Sequence, residues 1–230
     1  MRDLTYGWYR DRPPVLNIDR LDITSGTTVF IEGPSGSGKT TLLNLLAGVV
    51  VPRSGTVTVL GCQLEHKSGA ERDRVRADSI GFIFQQFNLL PYLSVVENVT
   101  LPCQFSKRRR DRAVSQSGTV EKEATRLLEH LDMAELVSQN QPASNLSVGQ
   151  QQRVAAARAL MGNPDIVIAD EPTSSLDFDR REAFIKLLFA ECRREGSTLV
   201  FVSHDRTLAH LFDRTIHLGD INHVGVGHQT

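Results

Sequence analysis

The stretch from Gly33 to Thr40 constrains the fold more than any other part of this 230-residue chain. It matches the pattern G-x-x-x-x-G-K-S/T, in which glycines let the backbone curl and point successive N–H groups at phosphate oxygens. An apolar run at 29–31 precedes it and a helical pattern at 41–47 follows it. Strand, loop and helix are therefore in the order that phosphate binding requires, whereas a merely flexible Ser/Gly loop needs no such order.

The residues of this loop are predicted to have separate roles. Lys39 can reach the β- and γ-phosphates of a nucleotide, and the hydroxyl of Thr40 can bind Mg²⁺. The N-terminus of the following helix adds partial positive charge. The predicted nucleotide ligands of this segment are Gly33, Pro34, Ser35, Gly36, Ser37, Gly38, Lys39, Thr40 and Thr41.

The overall charge gives no sign of a polyanionic partner. The formal net charge is −1 and 40% of the residues are hydrophobic, as in an ordinary globular protein. The most basic stretch, 107–110, has no interleaved aromatic residues, so it is interpreted as a solvated loop rather than a nucleic-acid patch. We expect no nucleic-acid partner.

Cysteine spacing and hydropathy predict a reducing, cytoplasmic location. Cys62, Cys103 and Cys192 are far apart and lack metal-ligand spacing. No apolar run approaches the ~18–20 residues that span a bilayer. Residues 1–12 lack the apolar core of a signal peptide.

Apolar strands alternate with helical patterns along the chain. Short strands are predicted within 1–31 and 55–64, at 80–84, and as buried runs at 166–169 and 198–202. Residues 91–145 are mostly helical. The alternation predicts a parallel α/β core, 1–90 and 160–230, with a helical subdomain inserted at about 91–159.

Two neighbouring carboxylates follow a predicted buried strand. Asp170 ends the run 166–169, and Glu171 comes next. A carboxylate at a strand tip beside a phosphate loop can hold Mg²⁺, directly or through water. Its neighbour can orient and deprotonate a water that attacks the γ-phosphate. Two surface acids at a strand end are the alternative interpretation.

Two further strand ends carry polar candidates. His204 follows the run 198–202, at the edge where α/β sheets bind ligands, and is predicted to contact the γ-phosphate. Gln85 follows Phe84, between the core and the helical insert, and is a candidate sensor of the same phosphate.

A second anion site is predicted where an alanine-rich helix begins, at 151–161. Ser147 and Gln150 have the S-x-x-Q spacing of a capping box, with Gly149 between them. Alone, the pattern predicts only a well-capped helix. A helix N-terminus with a hydroxyl and a glycine also binds anions.

Together these segments resemble the ATP-binding-cassette (ABC) ATPases over nearly the whole chain. The motifs occur in family order. Gly33–Thr40 resembles the Walker A motif, Gln85 resembles the Q-loop residue, and 146–150 resembles the signature motif. Further along, 166–171 resembles Walker B followed by the catalytic Glu171, 174–177 resembles the D-loop with Asp177, and His204 resembles the switch histidine. Within the family, 81–91, 97–99 and 150–160 look like the subfamily of lipoprotein release and macrolide export. The resemblance implies a P-loop NTPase (RecA-like) core with an antiparallel β subdomain and an inserted α-helical subdomain.

The signature segment departs from the family pattern at its third residue, where Val148 replaces the usual glycine. Main-chain donors survive this change, but a β-branched side chain could crowd the nucleotide. The family also stacks adenine on an aromatic residue about twenty-five positions before Walker A. Tyr6, Trp8 and Tyr9 are candidates, and Trp8 is preferred for its larger π-face.

The resemblance implies ATP and Mg²⁺ as ligands, with the metal held by Thr40, Gln85 and Asp170. It also implies a head-to-tail homodimer, in which Ser147, Gly149, Gln150 and Asp177 of one copy meet the ATP of the other. A separate integral membrane permease would dock near Gln85 and hold the chain on the cytoplasmic face of the membrane. The alternatives are a soluble ABC-type ATPase switch and a small-molecule kinase, and the signature motif and D-loop have no role in the latter.

Overall fold

Strands and helices alternate in the computed structural model, which describes residues 1–137, 141–174 and 178–224. The strands are β1 (Arg2–Tyr6), β2 (Leu16–Arg20), β3 (Thr28–Glu32), β4 (Ser54–Thr56), β5 (Thr58–Val59), β6 (Cys62–Gln63), β7 (Ile80–Ile83), β8 (Ile166–Asp170), β9 (Thr198–Ser203) and β10 (Arg214–His217). The α-helices are α1 (Lys39–Leu46), α2 (Gly69–Ser79), α3 (Val95–Thr100), α4 (Pro102–Phe105), α5 (Lys107–Ser117), α6 (Val120–His130), α7 (Ala134–Val137), α8 (Val148–Leu160), α9 (Phe178–Glu195) and α10 (Leu218–Ile221).

The predicted parallel core is confirmed. Within the described residues five parallel strands form one sheet in the order β10-β3-β9-β8-β7. The strand before the phosphate loop, β3, lies between β9 and β10, with Ile31 opposite Val202. The carboxyl ends of β3, β8 and β9 therefore meet at one edge, where ligands bind in such sheets.

Both faces of this sheet are covered, which explains its continuous apolar strands. Phe30 of β3 and Phe201 of β9 face a helical cluster that includes α6, α8 and α9, and their rings stack 6.1 Å apart. Their neighbours Val29 and Ile31 face the opposite side, with α1, β1 and β2. Successive side chains point to opposite faces of a strand, so both sets are buried at once.

The antiparallel β region is also present. β1 pairs with β2 and β4, and Leu4 lies opposite Ile18. Both side chains are fully buried and join the cluster that contains α1. The turn after β1 carries Trp8 toward the sheet edge described above.

Helices α3 to α8 account for the segment predicted to be helical. The capping box at the start of α8 is confirmed, because the side chains of Ser147 and Gln150 each bond the other's main-chain N–H. The end of α8 packs so tightly on β7 that a Cβ atom on Gly81 would lie 2.1 Å from the carbonyl oxygen of Ala159. This contact fixes α8 against the sheet.

The interpretation of 107–110 as a solvated loop is wrong. The segment begins α5, whose N-cap is Ser106, and Arg109 is buried. The Arg109 guanidinium donates to the carbonyl oxygens of Ala159 and Met161, each at 2.6 Å. Those carbonyls end α8 and lack partners within the helix, so a buried cation satisfies them. Burial lowers the Arg109 pKa to about 10.

Among the described helices, none combines the length and the apolar composition that crossing a bilayer would need. Two of the three cysteines, Cys103 and Cys192, are buried, and Cys62 is half-buried. Burial raises the pKa of the Cys192 thiol to about 12. Burial raises the pKa of Cys103 as well, so these two buried thiols stay protonated at neutral pH.

Candidate nucleotide site

A cavity of about 580 Å³ opens at the edge where the carboxyl ends of the central strands meet. It brings together most of the residues selected from the sequence, from five separate segments of the chain. Its lining consists of Trp8, Val15, Ser35, Gly36, Gly38, Lys39, Thr40, Thr41, Gln85, Asp170, Glu171 and His204. The roles predicted for these residues stay predictions, but their convergence on one cavity is a property of the fold.

The phosphate loop reaches its shape through a left-handed residue at the start of α1. Gly38, the N-cap of that helix, has φ of +100°, a conformation that a side chain would strain. A Cβ atom there would also lie 2.9 Å from a methyl carbon of Leu16. The glycine therefore lets the loop turn directly into the helix, whose first N–H groups point at the cavity.

The Lys39 ammonium group lies against its own loop. Nζ donates to the carbonyl oxygens of Gly33 at 2.7 Å and Pro34 at 3.0 Å, and lies 3.8 Å from Glu171 Oε1. The side chain is only 8% exposed. A charge held this far from bulk water interacts strongly with a phosphate that enters the cavity.

Thr40 and Asp170 place two oxygen atoms side by side. The Thr40 hydroxyl donates to Asp170 Oδ2 at 3.0 Å, which joins the loop to the end of β8. Burial is the main cause that raises the pKa of Asp170, and the neighbouring charge of Glu171 adds to it. A cation would relieve both effects.

This oxygen pair fits Mg²⁺. Gln85 lines the same cavity and offers a third oxygen. In the parts of the chain that the structure describes, no cluster of three or more histidine, cysteine or acidic side chains forms a metal cage. Mg²⁺ is commonly held by one or two protein oxygens together with phosphates and water, as this arrangement would allow.

Glu171 is held in an uncommon backbone conformation at the rim of the cavity. Its φ is +47°, and its N–H donates to the carbonyl oxygen of Val202 at 2.9 Å. The carboxylate accepts a bond from the Ser203 hydroxyl at 3.3 Å and lies 2.8 Å from His204 Nδ1. A strained residue at a cavity, fixed by neighbours at the end of β9, is typical of a catalytic position.

The three candidate aromatic residues occupy different surroundings. Trp8 is half-exposed and lines the cavity, whereas the buried Tyr6 ring packs edge-on behind it with 5.4 Å between ring centroids. Tyr9 is exposed outside the cavity lining, with the Arg12 guanidinium 4.6 Å from its ring centroid. Of these three rings, that of Trp8 is the one that lines the cavity.

Replacing Trp8 with alanine is expected to weaken ATP binding by roughly 1–3 kcal/mol, the usual loss when a stacking aromatic is removed from a base. Isothermal titration of both proteins with ATP measures the change. Tyr9→Ala is the matched control, since that ring is equally exposed but lies outside the cavity. A larger loss in Tyr9→Ala than in Trp8→Ala would show that the wrong ring was chosen.

The signature residues do not join this cavity. Ser147, Gly149 and Gln150 line a different cleft, beside α6 and α7. Val148 stands 51% exposed on the first turn of α8. Asp177, predicted for the D-loop, lies outside the described residues. A single copy of the chain therefore presents the phosphate loop and the signature helix as separate surfaces.

Two contributors to the cavity were not found from the sequence. Val15 lines it because the turn after β1 folds back, which no local pattern shows. Ser203 bonds Glu171, and its position directly before His204 at the end of β9 was the available signal.

Comparison with known proteins agrees with this geometry. A family model described as ABC transporter matches residues 16–174. The ABC transporter ATP-binding protein MJ0796 of Methanocaldococcus jannaschii is 44% identical over 202 residues, which cover 87% of this chain and 83% of that protein. The lipoprotein-releasing system ATP-binding protein LolD of Xanthomonas axonopodis pv. citri is 39% identical over 214 residues, covering 93% and 84%.

Solved structures show the same architecture. The dimeric post-hydrolysis state of the cassette MJ0796, bound to ADP and Pi, superposes with a TM-score of 0.79 at 36% identity, covering 94% of this chain and 92% of that one. The structure of cbiO1 from Clostridium perfringens, part of the ABC transporter complex cbiONQ, superposes with a TM-score of 0.80 at 27% identity, covering 94% of this chain and 82% of that one. By family model, relatives and fold alike, the chain belongs to the ABC transporter family of ATP-binding cassette ATPases.

Proposed function

We propose that this chain hydrolyses ATP as a head-to-tail homodimer and thereby drives a separate membrane permease of the lipoprotein-release or macrolide-export type. The observation that carries the proposal is the single cavity in which the phosphate loop, the Thr40–Asp170 pair and the Glu171–His204 pair converge. The family and the ADP- and Pi-bound relative support the ATPase activity.

Nucleotide binding follows from the order of groups around the cavity. The N–H groups of the loop and the Lys39 ammonium group would receive the phosphates at the start of α1. Trp8 would stack on the adenine. Thr40, Asp170 and Gln85 would hold Mg²⁺, which would supply positive charge beside the phosphates.

Hydrolysis is assigned to Glu171. Its carboxylate would orient a water in line with the γ-phosphate and accept the proton as the oxygen attacks phosphorus. The bond to the leaving β-phosphate oxygen then breaks, and ADP and inorganic phosphate remain. His204, 2.8 Å from the same carboxylate, keeps Glu171 in place and can contact the γ-phosphate.

The separation of the two surfaces supports the head-to-tail arrangement. Ser147, Gly149 and Gln150 line a cleft away from the cavity of their own chain, so they can complete only the site of a second copy. ATP would bridge the copies. Hydrolysis removes the bridge and lets the dimer open. The related cassette MJ0796 is dimeric.

A permease subunit would dock in the groove beside Gln85, between the sheet and the helices, and so hold the chain on the cytoplasmic face of the membrane. Phe84 is partly exposed at this groove and stacks on Phe82 at 4.2 Å between centroids. Support for the permease type comes from the subfamily resemblance and from the relative LolD.

Two measurements test this function. Purified chain with Mg²⁺ and ATP should release inorganic phosphate without any acceptor, and absence of release would contradict the ATPase mechanism. Co-expression with a candidate permease of the lipoprotein-release or macrolide-export type, followed by purification in detergent, should recover both chains together. An active ATPase that never associates with a membrane protein would favour the soluble switch instead.

The Val148→Gly variant is expected to hydrolyse ATP within about twofold of the natural chain. The main-chain donors at the start of α8 are unchanged, and the Val148 side chain is exposed rather than packed in the core. The helix should lose only a few tenths to ~1 kcal/mol of stability through backbone entropy. An ATPase assay with the permease present and a thermal melt measure both. A several-fold gain in rate would instead mean that valine crowds the partner's nucleotide.

A further inference from the structure

Arg158 connects the signature helix to the segment that carries Gln85. From α8, its Nη2 donates to the carbonyl oxygen of Phe87 at 2.5 Å and its Nη1 to that of Asn88 at 2.7 Å. Burial lowers the pKa of this guanidinium. Within the described residues it has no carboxylate partner, so these carbonyls satisfy a charge that is costly to remove from water.

The two carbonyls belong to a strained stretch of backbone. Phe87 and Asn88 are consecutive non-glycine residues with φ of +59° and +50°. A non-glycine residue in this conformation is strained and persists only where its surroundings enforce it. Their N–H groups bond back to the carbonyls of Phe84 and Gln86, at 2.9 and 2.6 Å. We call residues 84–88 the Gln85 loop.

After the Gln85 loop, the side chain of Asn98 holds the main chain in place. The amide of Asn98, fully buried on α3, bonds the main chain of Leu90 in both directions and also the carbonyls of Leu93 and Ser94. Gln85 itself is exposed and lines the nucleotide cavity. Its position is therefore set by the end of β7 on one side and by Arg158 on the other.

We propose that Arg158 is a positioning residue for ATP hydrolysis: it ties the Gln85 loop to the signature helix, so that Gln85 and Ser147 move together. This inference rests on the proposed function. Val148 and Arg158 are ten residues apart on one helix, a span of about 15 Å. A rigid helix would thus link the nucleotide site of one copy, through Gln85, to the signature end that meets its partner's nucleotide.

The test compares Arg158→Met and Arg158→Lys with Arg110→Met. Arg110 is the matched control because its guanidinium also donates to main chain, to the carbonyl oxygen of Cys103 at 3.0 Å, but it lies on α5 and lines neither the nucleotide cavity nor the signature cleft. Methionine keeps the length and removes the donors. Lysine keeps the charge but lacks the planar guanidinium that donates to both carbonyl oxygens at once.

We expect faster amide hydrogen exchange at 84–88 in Arg158→Met, with unchanged exchange in β8 and β9 as the check on folding. The kcat for ATP should fall about tenfold, since small misplacements of a catalytic group have effects of this size or larger. The ATP Kd should stay within about twofold, because the phosphate loop is untouched. The kcat of Arg158→Lys should lie between those of the natural chain and Arg158→Met, and the kcat of Arg110→Met should match the natural chain.

Unchanged exchange at 84–88 would overturn the anchoring role. Faster exchange with an unchanged kcat would overturn the link to hydrolysis, and so would an equal loss of kcat in Arg110→Met. A natural chain that binds ATP without hydrolysing it would instead overturn the proposed function, and with it the role in hydrolysis, while exchange would still report whether Arg158 anchors the loop.

Discussion

Replacing Glu171 with glutamine is expected to slow ATP hydrolysis by about 10²–10⁴-fold, the usual contribution of a general base, while ATP still binds. Glutamine keeps the shape of the side chain and can still accept the bond from the Ser203 hydroxyl. Lys39, Thr40 and Asp170, which would hold the phosphates and the metal, are unchanged. ATP that cannot be hydrolysed should then hold two copies together.

Gel filtration with ATP and a phosphate-release assay measure the two effects on the same sample. Glu121→Gln, on the exposed side of α6, is the matched control and should hydrolyse ATP normally. A Glu171→Gln variant that turns over at the natural rate, or that stays monomeric with ATP, would contradict the assignment of Glu171 as the base.

Replacing Lys39 with alanine is expected to weaken ATP binding by roughly 2–4 kcal/mol, or about thirty- to several-hundredfold, as for other buried charge contacts. The ammonium group is buried at the cavity, so its interaction with phosphate is little screened. The variant also loses the bonds to the carbonyls of Gly33 and Pro34 that brace the loop.

Isothermal titration with ATP measures this loss. Lys186→Ala is the matched control, because that lysine is exposed on α9 and pairs only at the surface with Glu182. A thermal melt of both variants separates lost binding from lost folding. An ATP affinity that is unchanged in Lys39→Ala would mean that the loop does not bind phosphate.

The sequence predicted the core strands well because their signal is local. The runs before Gly33, Asp170 and His204 are continuous and apolar, and each proved to be a buried parallel strand. The ends of those strands had to share an edge once the sheet was parallel. The convergence of the predicted residues in one cavity follows from that topology.

The misinterpreted stretch at 107–110 shows where local signals fail. A run of four basic residues is usually solvated, and nothing nearby in the sequence indicates otherwise. Arg109 is buried because carbonyls about fifty residues later, at the end of α8, lack donors. Arg158 is a similar case, since its carbonyl partners lie seventy residues earlier. Such pairings exist only after the chain has folded.

The choice among the aromatic residues was limited in the same way. Tyr6, Trp8 and Tyr9 lie within four positions, and spacing alone could not separate them. The end of β1 separates their surroundings: Tyr6 is still part of the strand and is buried, whereas Trp8 belongs to the turn beside the cavity.

The place of β3 in the sheet has a consequence for biosynthesis. The strand that leads into the phosphate loop is complete at Glu32, yet its hydrogen-bonding neighbours are β9 and β10, about 170 and 185 residues later. Such distant pairings form slowly and late. On the ribosome, the nucleotide cavity therefore cannot form until almost the whole chain has emerged. Until β9 and β10 are synthesised, both edges of β3 remain unpaired. A nascent or truncated chain that ends before β9 would carry an intact phosphate-loop sequence without a site to bind ATP.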